Sequence, residues 1–224
     1  MKKTIRKMRK GDKMKVYDLT HSISPDMPVY PGTEPPSLTV ANTYERDMFK
    51  ETLISMYSHT GTHIDPPAHI IEGRTTLDAF PASQFIGQAL VIDCTALADG
   101  ESITMATLAP YGDDIHRADF LLFHTGYDVH WGTDAYFGDF PCIDDEVLNL
   151  ILHGNYKGIG FDTISLDPMA SLDRHRRLFA ERDIINIENL TGLGDLPRGL
   201  VMFACLPLKV CECDGAPARA IAWE

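Results

Sequence analysis

His59-Thr60-Gly61-Thr62-His63-Ile64-Asp65-Pro66-Pro67-Ala68-His69 places three imidazoles and a carboxylate in one short stretch of a chain with nine histidines in all. Histidine and aspartate are the usual nitrogen and oxygen ligands of Zn²⁺ and related divalent ions. The spacing argues against a helical His-x-x-x-His pair, in which both rings share a face. Gly61 and two threonines lie between the first two histidines and Pro66-Pro67 follow; these residue types disfavour helix. In an extended segment, positions 59, 61, 63 and 65 alternate and share one face. A straight strand would hold His59 and His63 roughly 13 Å apart at Cα, too far for two rings to meet on one ion. A bend is therefore expected at Gly61, where the missing Cβ makes unusual dihedrals cheap. The competing reading is three surface histidines near a loop.

Outward from this stretch, Thr52–Tyr57 leads in as an extended run. Ala89–Asp93 and Phe120–Phe123 are short apolar runs typical of buried strands. Helical spacing at Val147, Leu148, Ile151 and Leu152 predicts a helix over 144–153, stopped by Gly154. Ser171 is the expected cap of a second helix, with Leu172, His175, Leu178 and Phe179 on one side. Ile184–Ile187 reads as a strand ending at Glu188. Cys211-Glu212-Cys213 resembles half a thiolate site but lacks a second pair, so it reads as strand and turn. Periodicity alone gives a single domain of α and β structure.

The sequence resembles the cyclase family of metal-dependent hydrolases, which includes bacterial kynurenine formamidases and isatin hydrolases. The segment 59–69 matches the signature H-x-G-T-H-x-D-x-P-x-H. Asp18-Leu19-Thr20-His21 and Pro28-Val29-Tyr30-Pro31-Gly32 resemble the opening segments, and Gly160–Asp167 resembles the G-x-D-x-x-S-x-D strand. His175 and Glu188-Asn189-Leu190 follow at the family's spacing. Leu206-Pro207-Leu208 and Asp214–Ala220 resemble the closing strands. The resemblance spans residues 16 to 224 and implies an α+β architecture: a swivelling β/β/α fold with a central mixed barrel-like β-sheet and peripheral helices.

The resemblance also implies a two-metal centre. Taken alone, His175 is a packed or exposed histidine and Glu188 a carboxylate at a strand end. By the family pattern, His59, His63 and Asp65 hold one ion, His175 binds the second, and Asp65 and Glu188 are shared. Shared carboxylates offset the repulsion between two dications a few ångströms apart. The ions are expected to be Zn²⁺, with Mn²⁺ the alternative, since His/carboxylate sets accept both. Asp162 and Asp167 are candidate acceptors for ligand N–H groups. The resemblance assigns His69 to proton transfer, a role that suits an imidazole, whose unperturbed pKa lies near neutrality. Tyr30 stands where many kynurenine formamidases carry tryptophan, as an aromatic wall for the substrate.

The implied activity is hydrolysis of an aryl formamide, N-formylkynurenine first, by metal-activated water. The alternatives are a hydrolase of a cyclic amide or ester such as isatin, and a non-catalytic metal-binding module. At 224 residues and a net charge of −12, the chain is large enough for one substantial core. Its charge disfavours a nucleic-acid partner. Residues 1–15 carry eight basic side chains against Asp12 alone, a net of +7 that leaves −19 for the remainder. This segment is expected to be a disordered extension preceding the single domain 16–224. With no apolar signal core, no membrane-length run and no disulfide framework in its five cysteines, the protein is expected to be cytoplasmic. A homodimer is expected from the resemblance, with the aromatic and glycine-rich stretch His124–Phe137 at the interface or pocket mouth.

Overall fold

The computed structural model describes residues 14–224; the expected basic extension lies, up to residue 13, outside them. The strands are β1 (Val16–Asp18), β2 (Ser37–Asn42), β3 (Glu51–Ser55), β4 (His63–Asp65), β5 (Ile86–Asp93) and β6 (Ser102–Ile103). They continue as β7 (Phe120–His124), β8 (Cys142–Ile143), β9 (Gly158–Phe161), β10 (Ile185–Glu188), β11 (Leu200–Pro207) and β12 (Ala216–Trp223). Strands β12, β11, β5, β7, β9, β10 and β4 pair in that order, and β4 returns to β12, so seven strands close on themselves. The run β5-β7-β9-β10 is parallel and the other pairings in the ring are antiparallel. This is the mixed barrel-like sheet that the resemblance implies.

Alternation along β7 separates two cores. Phe120 and Leu122 point into the closed sheet with Ile64, Ile185, Ile187 and Phe203. Leu121 and Phe123 point outward, beneath Val147, Leu148, Ile151, Leu152, Leu178 and Phe179 of the two longest helices. A parallel strand covered on both faces reads as an unbroken apolar run, which is what Phe120–Phe123 shows.

The helix Asp145–His153 begins where its spacing predicts. Asp144 is its cap, accepting the Val147 N–H at 2.8 Å, and Gly154 follows its end. The second helix, Asp173–Glu181, departs from the expectation at its start. Leu172 occupies the cap position, while Ser171 only accepts the Asp173 N–H. The free N–H groups of Arg174 and His175 instead donate to Asp167, each at 3.0 Å. A carboxylate is the better acceptor there because it also answers the positive end of the helix dipole.

The chain's first and last segments meet. β1 pairs with the end of β12, Thr20 exchanges hydrogen bonds with the Ala220 backbone, and Arg219 pairs with Asp18. The His21 N–H donates to Thr62 Oγ1, bracing the histidine stretch from outside. All five cysteines are unpaired, with Cys211 and Cys213 in the turn before β12. Among the described residues, no helix is long and apolar enough to cross a membrane.

Candidate metal centre

Register between β4 and β10 builds the core of the site. His63 pairs with Glu188 and Asp65 with Asn186, and directly paired residues project on the same face of a sheet. Their neighbours Ile64 and Ile187 face the barrel interior. The four polar side chains therefore crowd together on the outer face. Gly61 supplies the expected bend with φ of +63°, and the His59 and His63 rings lie 5.1 Å apart. His175, from the helix Asp173–Glu181, completes the group.

The distances define three overlapping sets, His59/His63/Asp65, Asp65/His175/Glu188 and the more exposed His59/His69/Asp214. Asp65 Oδ1 lies 2.7 Å from His59 Nδ1 and 3.2 Å from His63 Nε2. His175 Nε2 stands 3.2 Å from Glu188 Oε1 and 3.6 Å from Asp65 Oδ2. Each of these imidazoles is tied at its other nitrogen. His63 Nδ1–H donates to the Gly61 carbonyl at 2.8 Å, and His175 Nδ1 meets Asp167 at 2.8 Å. His59 Nε2 faces Asp214 at 3.3 Å. Such partners fix ring orientation and tautomer in metal sites.

Burial disfavours charge on Asp65, His63 and His175, yet their mutual attraction outweighs it. Despite burial, the imidazoles, His63 foremost, hold Asp65 well below the usual carboxylate range. Burial opposes charge on His63 as well, but Asp65 and then Glu188 push it up to about 9. His175 is likewise raised despite burial, by Asp167, Asp65 and Glu188. The raised imidazoles and the lowered carboxylate thus offset one another's charge in the absence of a cation. Three imidazole nitrogens and two carboxylates form a donor set that suits a divalent ion of borderline softness.

His69 differs from the other three rings. Its centroid is 3.8 Å from that of His59, and burial, its chief influence, pushes its pKa down to about 4. It lines a cavity of about 380 Å³ together with His59, His63, His175, Glu188, Tyr30 and Asp214. Tyr30 stands at the rim, with its hydroxyl donating to the Met169 carbonyl at 3.1 Å.

Of the two aspartates expected behind the ligands, Asp167 is in place and Asp162 is not. Asp162 accepts from Thr125 N–H, Thr125 Oγ1–H and Gly126 N–H. It lies near His124 and Asp128, but Asp128 is itself engaged by Thr191 and Gly192. That group braces loops. Two contributors escape the sequence reading. Asn186 donates to Asp65 at 3.0 Å and to Glu188 at 2.9 Å; its position two residues before Glu188 in an apolar run was the available signal. Asp214 carries no legible role until β12 is registered on β4.

The Cyclase family model matches residues 17–168, more than half of the sequence; the chain belongs to the cyclase family. A kynurenine formamidase from Bordetella avium is 31% identical over 222 residues, covering 94% of this chain and 98% of its own. Isatin hydrolase A from Labrenzia aggregata, solved with benzyl benzoate, superposes with a TM-score of 0.84 at 25% identity, covering 94% and 93% of the two chains. A predicted metal-dependent hydrolase from Bacillus stearothermophilus superposes at 0.77 with 31% identity, covering 95% and 99%.

Proposed function

We propose that this chain is a metal-dependent hydrolase of amide C–N bonds that acts on an aryl formamide, with N-formylkynurenine as its principal substrate. The supporting observation is the convergence of His59, His63, His175 and Glu188 around the buried Asp65, at a cavity that His69 also lines. His59, His63 and Asp65 would hold one Zn²⁺ or Mn²⁺ and His175 a second, with Asp65 and Glu188 shared. Ions bound there would lower the pKa of water towards ~7 and polarise the scissile carbonyl.

The remaining work falls to the chain's own side chains. His69 is neutral at neutral pH, its imidazolium form disfavoured chiefly by burial. It can accept a proton from the attacking water and return it to the nitrogen as the C–N bond breaks, releasing aryl amine and formate. Its ring packs against His59 and lines the cavity, within reach of a substrate held there. Tyr30, Val29, Ile164 and Leu172 line the same cavity and offer an apolar wall to the aryl group.

Hydrolysis of a neutral ring such as isatin is the second reading, favoured by one observation. No lysine or arginine lines the cavity among the described residues, whereas Asp214 does. A substrate carboxylate therefore finds no lysine or arginine to pair with, and a neutral ring needs none. A metal-analysed preparation assayed on both compounds separates these readings, because opening a ring liberates no formate. Formate released in step with kynurenine, at a kcat/KM above that for isatin, is the expected result. The reverse preference would establish the second reading. No turnover on either despite bound metal would favour a non-catalytic module.

Metal uptake should depend on pH. His63 is pushed up to about 9 in the metal-free chain, chiefly by Asp65 against burial, so below that pH an incoming ion must displace its proton. Apparent affinity should rise by about a factor of ten per pH unit between about pH 7 and 8.5 and level off above 9. Calorimetry in buffers of different ionisation enthalpy reads the released protons directly. A flat affinity across this window would contradict the ligand role of His63.

We also place the protein in the cytoplasm as a homodimer; five unpaired thiols suit a reducing compartment. The stretch His124–Phe137 is anchored from within by two of its aromatics and still exposes Val129. Trp131 stacks on His21 at 3.8 Å, and buried Tyr136 donates to Asn189 Oδ1. Six of the exposed large apolar side chains lie on and beside the β2–β3 hairpin: Val40, Tyr44, Met48, Phe49, Leu53 and Ile54. A lone two-stranded hairpin is marginal in water, and such a patch marks an interaction surface. Light scattering should give about 50 kDa for the wild type, twice the 24.9 kDa chain, and about half of that after Leu53→Glu with Ile54→Glu. An unchanged mass would remove the hairpin from the interface.

A further inference from the structure

We infer that Asp214 and Gly215 are positioning residues for the His59 ring, together setting which of its nitrogens faces the metal centre. The inference rests on the reading of His59 as a ligand. His59 is the outermost of the three anchored histidines. Its side chain is 21% exposed, against 4% for His63 and 3% for His175. It also lies outside any strand or helix, four residues before the start of β4. Its ring therefore needs an external clamp more than the other two do.

The turn before β12 supplies that clamp in two parts. A Cβ on Gly215 would stand 2.5 Å from His59 Cε1 and 2.7 Å from Nε2, so the backbone lies close against the ring and no side chain fits there. Asp214 Oδ2 sits 3.3 Å from Nε2, while Nδ1 faces Asp65 Oδ1 at 2.7 Å. With an ion held on the Asp65 side, the ring's one remaining N–H would be on Nε2 and would donate to Asp214. Register holds the turn in place. Ala216 pairs with Ile64 and Pro217 with His63 of β4, and the Leu77 N–H donates to the Cys213 carbonyl at 3.1 Å. The strand that carries His63 thus also aligns the residues that orient His59. The same logic ties His63 to the Gly61 carbonyl and His175 to Asp167. Asp214 gives the third ring its acceptor.

Chelator competition measures Zn²⁺ affinity in metal-stripped full-length protein, with the thermal midpoint of each metal-free variant recorded alongside. Asp214→Ala and Gly215→Ala should each weaken binding by about 10–100-fold, the usual effect of removing an outer partner. Asp214→Asn, which keeps an acceptor oxygen, should lose less than Asp214→Ala. His59→Ala should weaken binding as well, and adding Asp214→Ala to it should cost nothing further, because the two act through one ring. Long-range ¹⁵N–¹H spectra of the Zn²⁺-loaded wild type should show His59 protonated on Nε2. Affinities within about twofold of wild type for Asp214→Ala and Gly215→Ala, while His59→Ala loses metal, would overturn the inference and leave the ligand reading intact. A proton on Nδ1 would overturn it too. Wild-type affinity in His59→Ala would instead reject the ligand reading, and the inference with it.

Discussion

His69→Ala is expected to lower kcat by about 10²–10⁴-fold, the usual scale for a general acid–base residue, with most of the metal retained. The expectation follows from how the four rings are held. His59, His63 and His175 each have one nitrogen on a fixed acceptor and the other facing a shared carboxylate. His69 packs against His59 inside the cavity and has no such acceptor. Its removal should therefore slow proton transfer without dismantling the centre. Metal analysis alongside single-turnover rates separates the two effects. Metal loss equal to that in a ligand variant would make His69 a ligand and leave the proton-transfer role to another group.

His63→Ala should have the opposite signature, with metal affinity and activity falling together. Nε2 of His63 lies within 3.2 Å of Asp65 and 3.6 Å of Glu188, so its loss opens the middle of the site. The affinity should fall by more than the roughly 10–100-fold typical of outer partners. The metal-free variant should be less stable as well, because Asp65 loses its chief partner. An uncompensated buried charge costs about 3–5 kcal/mol, and the cost here should be smaller because His59 and Asn186 still face Asp65. Urea titration of the metal-free proteins reads that difference. Wild-type metal content in His63→Ala would remove it from the ligand set.

Local chemistry made one half of the site legible. Alternation over 59–65 and the missing Cβ of Gly61 point to a bent segment with its polar side chains on one face, and φ at Gly61 is +63°. The other half depends on register between segments more than a hundred residues apart. Nothing local says that Glu188 lies opposite His63, or that Asn186 lies opposite Asp65. The family resemblance supplied His175 and Glu188 but was silent on Asn186. Asp162 and Asp167 read alike in sequence. They separate only because the second helix starts where its first N–H groups reach Asp167, while Asp162 lies beside the turn at Thr125 and Gly126.

Metal-stripped enzyme titrated with Zn²⁺ while formate release from N-formylkynurenine is followed tests the central claim most directly. Activity should be absent without metal and rise to a plateau at two ions per chain, one for each of the overlapping sets that share Asp65. Turnover at the full rate in the stripped enzyme, or full metal loading without formate release, would contradict it.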